Sequence, residues 1–438
     1  MVDRTVKSRK PDQPLLPPSR RAEGHGQQVS VQSRRALDWF VFFVADIQTG
    51  FGPFVAVFLT TQKWTQVDIG LVLTISGVVS LVGQIPLGAF VDSVRSVRTV
   101  AALALVAIGV SAFAFAAWPV FPVVFASRVL HAAASCVLGF ALVSISLGLV
   151  RQGDVSARLG RNASFASAGT GIAAAVMGAC GQYLSDRAVF FLAAGLVVPA
   201  IFALSCIRAN EIASIRPVAT HPPSLGEARK LKDLAGGLLG LVRNRPLVIF
   251  AVCVALFHLA NAAMLPLAAS MLTLRSGQAA TIMVAAAMIV PQLTVTIFSP
   301  WVGRAAERWG RRPFLVLGFA ALVVRGFLFA ATGQPHLLVM IQVLDGISAA
   351  VLGVLVPLTV ADVTRGSGHF NLAQGTVGCA MGVGASISTV LSGYLADNFG
   401  SYAAFTTLAI IAGAGLLAVA VVMPETRSRR VEGVISRS

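Results

Sequence analysis

The stretch GRAAERWGRR, Gly303–Arg312, lies between two long apolar runs, and it decides the fold because the chain carries it twice. The earlier copy is GAFVDSVRSVR, Gly88–Arg98, about 215 positions before it. In each copy a glycine ends an apolar run, a carboxylate follows (Asp92 or Glu307), and arginines precede the next apolar run. Self-similarity at a fixed long spacing indicates an internal repeat. The sequence therefore predicts two related halves.

The composition is typical of a protein embedded in a membrane. Hydrophobic residues make up 56% of the chain and charged residues 12%, and the mean hydropathy is +0.80. A soluble domain carries about 25% charged residues, and one bilayer crossing takes about 20 apolar residues. We predict an all-α polytopic membrane protein with twelve transmembrane helices in two pseudo-symmetric six-helix bundles. The predicted spans 1 to 12 are residues 36–60, 67–91, 99–118, 122–150, 161–184, 187–207, 246–273, 279–302, 313–332, 336–361, 371–394 and 400–423.

These spans divide the chain into five segments. We predict a tail at 1–35, a bundle at 36–207, a linker at 208–245, a bundle at 246–423 and a tail at 424–438. The first tail is rich in proline and charge, which predicts disorder. In the linker, Ser224 and Glu227 have the spacing of a capping box. The pattern after them predicts an amphipathic helix, which either lies on the membrane surface or only connects the bundles.

The basic residues are sorted by loop and do not form one face. The formal net charge is +16, which by itself is also found in proteins that bind nucleic acid. If both termini are cytoplasmic, the inside loops and tails hold about 29 of the 34 Lys and Arg, and the outside loops hold Lys63, Arg187 and Arg275. This is the positive-inside pattern. We expect a multi-pass protein of the inner cell membrane, with both termini cytoplasmic, lipid around it and no nucleic-acid partner.

The repeated stretch has the chemistry of a contact between helix ends. Glycine lets a neighbouring backbone come close, and a carboxylate beside guanidinium groups can hydrogen-bond an adjacent helix end. The stretch from Gly303 resembles G-x-x-x-[DE]-R-x-G-R-[KR], which major facilitator superfamily transporters carry between helices 2 and 3 and again between helices 8 and 9. The first copy has Ser93 and Arg95 in place of the arginine and the second glycine, so Asp92 is expected to hold less strongly than Glu307. The expected latch residues are Gly88, Asp92, Gly303, Glu307, Arg308, Gly310, Arg311 and Arg312.

Seven polar side chains inside the spans are candidates for a solute and proton pathway, because charges at membrane depth usually face a bundle interior or a cavity. The stretch from Arg128 aligns with the stretch from Gln342 at an offset of 214, which places Asp345 opposite His131. For Arg128, snorkelling to the membrane surface is an open alternative, and Arg325 in span 9 is interpreted as a structural arginine that snorkels. The seven candidates are Asp46 in span 1, Arg128 and His131 in span 4, His258 and Asn261 in span 7, and Gln342 and Asp345 in span 10.

The resemblance implies that spans 1, 4, 7 and 10 line a central cavity of a monomeric secondary transporter that works by alternating access. Within the superfamily, the chain resembles bacterial drug and sugar efflux permeases, which implies proton-coupled export of a small organic solute. Asp46 and Asp345 are then the expected coupling carboxylates. Span 5 lacks the proline of the exporters' glycine-proline motif, which weakens the prediction of antiport.

Two other functions stay open on the sequence. Asp and His side chains suit a metal or metal-chelate carrier, and a non-transporting membrane receptor is possible on the same fold. The five cysteines lie inside predicted spans without the spacing of a metal clip, and no cofactor is expected. The loops carry no nucleophile elbow or phosphate loop, so we do not expect an enzyme.

Overall fold

The computed structural model describes residues 30–49, 54–212, 236, 239–241, 243–275 and 280–427. Within these ranges the chain is helical and contains no β-strand, and the predicted all-α membrane-protein fold is confirmed. The principal α-helices are Val31–Thr49, Phe54–Thr61, Gln66–Ser93, Val97–Ala117, Phe121–Gly148, Val155–Tyr183, Asp186–Gly195, Val197–Ser205, Arg245–Asn261, Met264–Arg275, Ala280–Trp309, Arg312–Ala331, Pro335–Val363 and Phe370–Val421.

Ten helical stretches of the described residues are long and apolar enough to cross a membrane. One of them contains two spans, and span 1, which is not among the ten, completes the twelve. The stretch Phe370–Val421 has 52 residues, which at about 1.5 Å per residue exceeds twice the roughly 30 Å hydrocarbon core. It bends at Gly400, whose φ of 82° is not helical, so it contains spans 11 and 12. Span 1 is described as Val31–Thr49 and Phe54–Thr61, on either side of residues 50–53, which are outside the described ranges.

The helix of span 1 begins at Val31, five residues before the predicted start of the span at residue 36. The backbone N–H and the hydroxyl of Ser30 both donate to Glu211, at 3.2 and 3.1 Å, which ties the start of span 1 to the segment after span 6. Residues 1–29 and 213–235 lie outside the described ranges. The disordered tail and most of the predicted amphipathic linker helix fall there and stay predictions.

The two halves have their own apolar packing. In the N-terminal half, Phe115 packs against Phe58 and Phe190 with ring centroids 5.4 and 4.6 Å apart. In the C-terminal half, Phe257 packs against Phe319 with centroids 5.3 Å apart. Contacts between the halves come chiefly from span 2 with span 11 and from span 5 with spans 8 and 10. The functional contacts must therefore be sought along these helix pairs.

Candidate functional site

The first latch joins the end of span 2 to the first turn of span 11. Asp92 accepts the backbone N–H groups of Asn371 and Leu372, at 3.1 and 2.9 Å, and the side-chain amide of Asn371 at 2.8 Å. Such first-turn N–H groups lack partners within their helix and carry partial positive charge, which a carboxylate satisfies. Gly88 allows this approach, because a Cβ there would overlap the carbonyl oxygen of Asn371. We call the end of the molecule that carries this contact the latch face.

The second latch joins span 8 to the first turn of span 5 on the same face. Glu307 accepts the hydroxyl of Ser156 at 2.7 Å, and a Cβ at Gly303 would overlap the carbonyl oxygen of Ser156. Each residue of this latch is 215 positions from its counterpart in the first, so the repeat in the sequence is also a repeat of contacts between halves. The equivalent pairs are Gly88 with Gly303, Asp92 with Glu307, and Asn371 with Ser156.

The expected order of the two carboxylates is reversed by these bonds. Asp92 receives three hydrogen bonds from the other half, whereas Glu307 receives one. The Glu307 side chain is 35% exposed, and its other bond, to Arg311 at 3.2 Å, stays within its own half. The expected order rested on how well each copy matches the motif. The strength of each carboxylate's contact depends instead on how many hydrogen-bond donors the facing helix end supplies. Asp92 therefore makes the tighter contact across the halves.

The arginines of the second copy hold the segment itself in place. The guanidinium of Arg311 is buried and donates to Asp362 at the end of span 10, at 3.0 Å. Its backbone N–H donates to Glu425 at 2.9 Å, and a Cβ at Gly310, whose φ is 96°, would overlap that carboxylate. The segment is also held by the N–H of Arg312, which donates to Glu425 at 3.1 Å, and by Arg427, which donates to the carbonyl of Arg308 at 2.6 Å.

The halves touch at the latch face and separate toward the opposite face. A Cβ at Gly160 on span 5 would overlap the backbone of span 8, whereas one at Gly171 would lie 3.8 Å from its nearest neighbour, Gln292. Farther along span 5, a Cβ at Gly178 would meet no described atom of another element within 4 Å, and on span 2 the same holds for Gly77. The two halves are therefore in close contact at the latches and lie farther apart toward the opposite face.

The polar side chains of the C-terminal half gather around Arg325. This guanidinium is fully buried and donates to Asn261 at 2.6 Å, to Asp345 at 2.7 Å and to Gln342 at 2.8 Å. The interpretation of Arg325 as a snorkelling arginine is therefore wrong, because it ties spans 7, 9 and 10 together inside the half. His258 is not bonded to this cluster in the structure, and its Nδ1 lies 3.0 Å from a carbonyl of its own helix.

The three polar candidates of the N-terminal half are all buried, and Arg128 and His131 share one face of span 4. Arg128 donates from Nε to Ser76 on span 2 at 2.9 Å, and it is buried, so it does not snorkel. His131 is also buried, with Nε2 3.2 Å from a hydroxyl of its own helix. Asp46 is buried against span 5, where a Cβ at Gly169 would lie 3.0 Å from its Oδ1. Three of the seven candidates, Asn261, Gln342 and Asp345, are thus joined through one side chain, that of Arg325.

A second buried ion cluster fastens span 1 to span 5, and the sequence analysis did not identify it. Asp38 is buried and pairs with Arg158 and Arg161, each at 2.7 Å. Arg158 also donates to Asn162 at 2.8 Å. The predicted span 5 began at residue 161, which left Arg158 in a loop, whereas the helix begins at Val155. The signal available in the sequence was a pair of arginines three positions apart, because such side chains lie on one helix face and can share a partner.

Replacing Gly303 by valine is expected to force the second latch apart, because the side chain would occupy the space of the Ser156 carbonyl. The matched control is Gly393→Val in span 11, where an added Cβ meets no described atom of another element within 4 Å. Accessibility of a single cysteine introduced at Val155, next to Ser156, to a water-soluble thiol reagent measures the opening and leaves the Ser156 hydroxyl in place. Equal labelling in Gly303→Val and Gly393→Val would contradict the close contact.

Known proteins share sequence with this chain. The sequence profile of the Major Facilitator Superfamily matches residues 39–293 and 273–436. An uncharacterized MFS-type transporter of Mycobacterium tuberculosis is 37% identical over 410 residues, which cover 92% of this chain and 96% of that protein. The class B tetracycline resistance protein of Escherichia coli is 28% identical over 138 residues, covering 32% of this chain and 34% of that protein.

Two solved structures share the arrangement of helices. The human organic anion transporter superposes with a TM-score of 0.67 and 16% identity, covering 89% of this chain and 99% of that chain. The fucose:proton symporter of E. coli superposes with a TM-score of 0.67 and 14% identity, covering 90% and 98%. At such identities the likeness concerns the fold alone. The profile match and the near full-length mycobacterial relative, together with the repeated latch, show that this chain belongs to the Major Facilitator Superfamily and is a multi-pass secondary transporter.

Proposed function

We propose that this protein exports a small organic solute as a monomer by alternating access, driven by proton entry. The observation that carries the proposal is the pair of equivalent latches, which hold the halves together at one end while the helices lie farther apart toward the other end. Contacts between charged and polar groups contribute about 1–3 kcal/mol. Two such contacts are strong enough to favour one state and weak enough to break during a transport cycle.

In this proposal the latch face is the cytoplasmic face of the inner membrane. The support is the charge sorting, since the loops and tails assigned to this face hold most of the lysines and arginines. The state described here is then closed toward the cytoplasm. Export requires the other state, in which the latches break and the solute enters the cleft from the cytoplasm.

Two single cysteines test this sidedness. In a variant without the five native cysteines, a cysteine at Gln334 is expected to react with an impermeant reagent added to intact cells. A cysteine at Arg151 is expected to react only after the cells are broken, because this exposed residue lies on the latch face. Labelling of Arg151→Cys from outside would reverse the proposed orientation.

Asp345 and Asp46 are the proposed proton carriers. Asp345 keeps 16% of its side chain exposed and is held by a single buried guanidinium nitrogen. Asp46 is buried, and its Oδ1 accepts no hydrogen bond from the described residues. The protonation of such carboxylates depends on which cation or water reaches them, so a change of access between states is a means of coupling. The fucose:proton symporter shares this fold, so the fold is compatible with proton coupling.

Transport is separated from a receptor function by two measurements on one purified sample. A thermal-shift screen of organic solutes identifies ligands, because binding to the folded state raises its apparent stability. Each ligand is then tested for flux in proteoliposomes with an imposed pH gradient, with empty liposomes as the control. Gradient-dependent flux is the expected result, and binding without flux would favour the receptor.

The metal-carrier alternative stays a prediction. The described residues contain no group of three His, Cys, Asp or Glu placed to hold a metal ion.

A further inference from the structure

A cavity of about 870 Å³ lies between the two halves at the latch face, beside the first latch. The link between spans 2 and 3, the end of span 4 and the segment after span 6 line it from the N-terminal half. The end of span 10 and the link to span 11 line it from the other half. Ligand pockets in proteins measure about 300–1,000 Å³, so this cavity is large enough for a small amphipathic molecule.

Three arginines line the cavity, two from one half and one from the other. Arg95 is exposed in the link between spans 2 and 3. Arg98 donates to the carbonyl of Ser205 at 2.9 Å, and Arg365 donates to Asp362 at 3.4 Å. The bond of Arg98 engages part of its guanidinium group, which carries five N–H donors. The cavity is therefore lined by cationic groups from both halves.

The two carboxylates that line the cavity are engaged elsewhere. Asp92 accepts three hydrogen bonds from the start of span 11. Asp362 receives the buried guanidinium of Arg311 at 3.0 Å in addition to Arg365. Arg311 thus compensates the charge of Asp362 from outside the cavity, and the charges that face the cavity have a positive surplus. A positive surplus in a cleft with low-dielectric walls attracts anions.

The rest of the wall is largely apolar, with Leu147, Leu358 and Phe370 among the lining side chains. Guanidinium groups recognise phosphate, sulfonate and carboxylate through paired hydrogen bonds, and the apolar wall suits a hydrocarbon or aromatic body. The tails and the linker outside the described residues are themselves basic, so they do not complement this charge. The chemistry of the cavity favours an external amphipathic anion.

We propose that the latch-face cavity binds an amphipathic anion, with its charged head on Arg95, Arg98 and Arg365 and its apolar body against the wall. Such a ligand touches both halves, so it binds the latch-closed state in preference to the open one. By linkage, binding stabilises that state and slows the return to the open state. The anion comes either from the membrane, as an acidic phospholipid, or from solution, as an organic phosphate or carboxylate. This inference concerns regulation and does not depend on the solute, the direction or the coupling proposed above.

The test uses the purified full-length protein in nanodiscs of neutral phosphatidylcholine. 1-Naphthyl phosphate is the soluble probe, 1-naphthol is its neutral counterpart, and nanodiscs containing phosphatidylglycerol supply the lipid probe. We expect naphthyl phosphate or phosphatidylglycerol to raise Tm and to increase cross-linking across the latch face. Arg95→Gln/Arg365→Gln is expected to weaken the apparent affinity tenfold or more, because it removes two of the three cationic groups. A tenfold change corresponds to about 1.4 kcal/mol. The matched control is Arg151→Gln, an exposed arginine of the same face that does not line the cavity.

The outcomes divide clearly. A response to one probe supports the site and identifies its source, and a response to both supports it for either source. Three results would overturn it: no response to either anion, an equal response to 1-naphthol, or an equal loss of affinity in Arg151→Gln. Arg95→Lys/Arg365→Lys serves as a second variant that keeps the charge and removes the paired donors, and its affinity is expected to be intermediate. None of these readouts requires transport, so failure here leaves the proposed export function untouched.

Discussion

Replacing Arg325 by methionine is expected to lower the free energy of unfolding by about 3–5 kcal/mol, because removing one partner of a buried ion pair leaves the other charge uncompensated. Asp345 would lose its cation, and Asn261 and Gln342 would lose a shared donor. Unfolding by denaturant in mixed micelles measures the change. The control is Arg187→Met, which removes an exposed arginine and is expected to change stability by no more than about 0.5 kcal/mol.

A double variant shows whether the loss belongs to the pair. Arg325→Met/Asp345→Leu replaces both charges with apolar side chains, and such replacements of buried pairs are often close to neutral. It is therefore expected to recover most of the stability that Arg325→Met loses. If the double variant is as unstable as the sum of the two single variants, the ion pair at 2.7 Å is not the reason for the loss.

Neutralising either proposed proton carrier is expected to abolish uphill accumulation of solute while downhill exchange continues. The variants are Asp345→Asn and Asp46→Asn, measured in vesicles with and without a pH gradient. A carboxylate that only holds helices together would instead lower expression and stability and leave coupling intact in the surviving protein. The control is Asp397→Asn, which removes an exposed carboxylate and is expected to accumulate solute normally. Accumulation by both test variants at an unchanged proton stoichiometry would contradict the coupling role.

Much of the fold was predictable because membrane insertion imposes simple patterns. Apolar runs of bilayer length predicted spans 11 and 12 as separate, and the glycine at position 400, with its positive φ, is where they part. The repeat was visible because Gly88 and Gly303 each lie where a side chain would strike the facing helix. A close approach of two helices requires glycine at the point of contact, and a glycine that recurs at a fixed spacing is visible in the sequence.

The partners of buried charges were less predictable, because they depend on which helices become neighbours. Asp345, on the next span, was an available carboxylate for Arg325, but the predicted bounds of span 9 placed the arginine near the membrane surface. Asp38 and Arg158 are 120 positions apart and meet only because span 1 packs against span 5. The strength of the Asp92 contact depends on the first turn of span 11, which the motif around Asp92 does not encode.

Spin-label distances across both faces test alternating access through the latches most directly. One pair, at Arg151 and His369, spans the latch face, and a second pair, at Gln62 and Asn398, spans the opposite face; all four residues are exposed. In the wild-type sequence we expect a short distance at the latch face and a long one at the opposite face. In Asp92→Asn/Glu307→Gln we expect the first to lengthen and the second to shorten, with populations shifted tenfold or more for a loss of about 1.4 kcal/mol. An unchanged latch-face distance, or lengthening at both faces, would contradict the account.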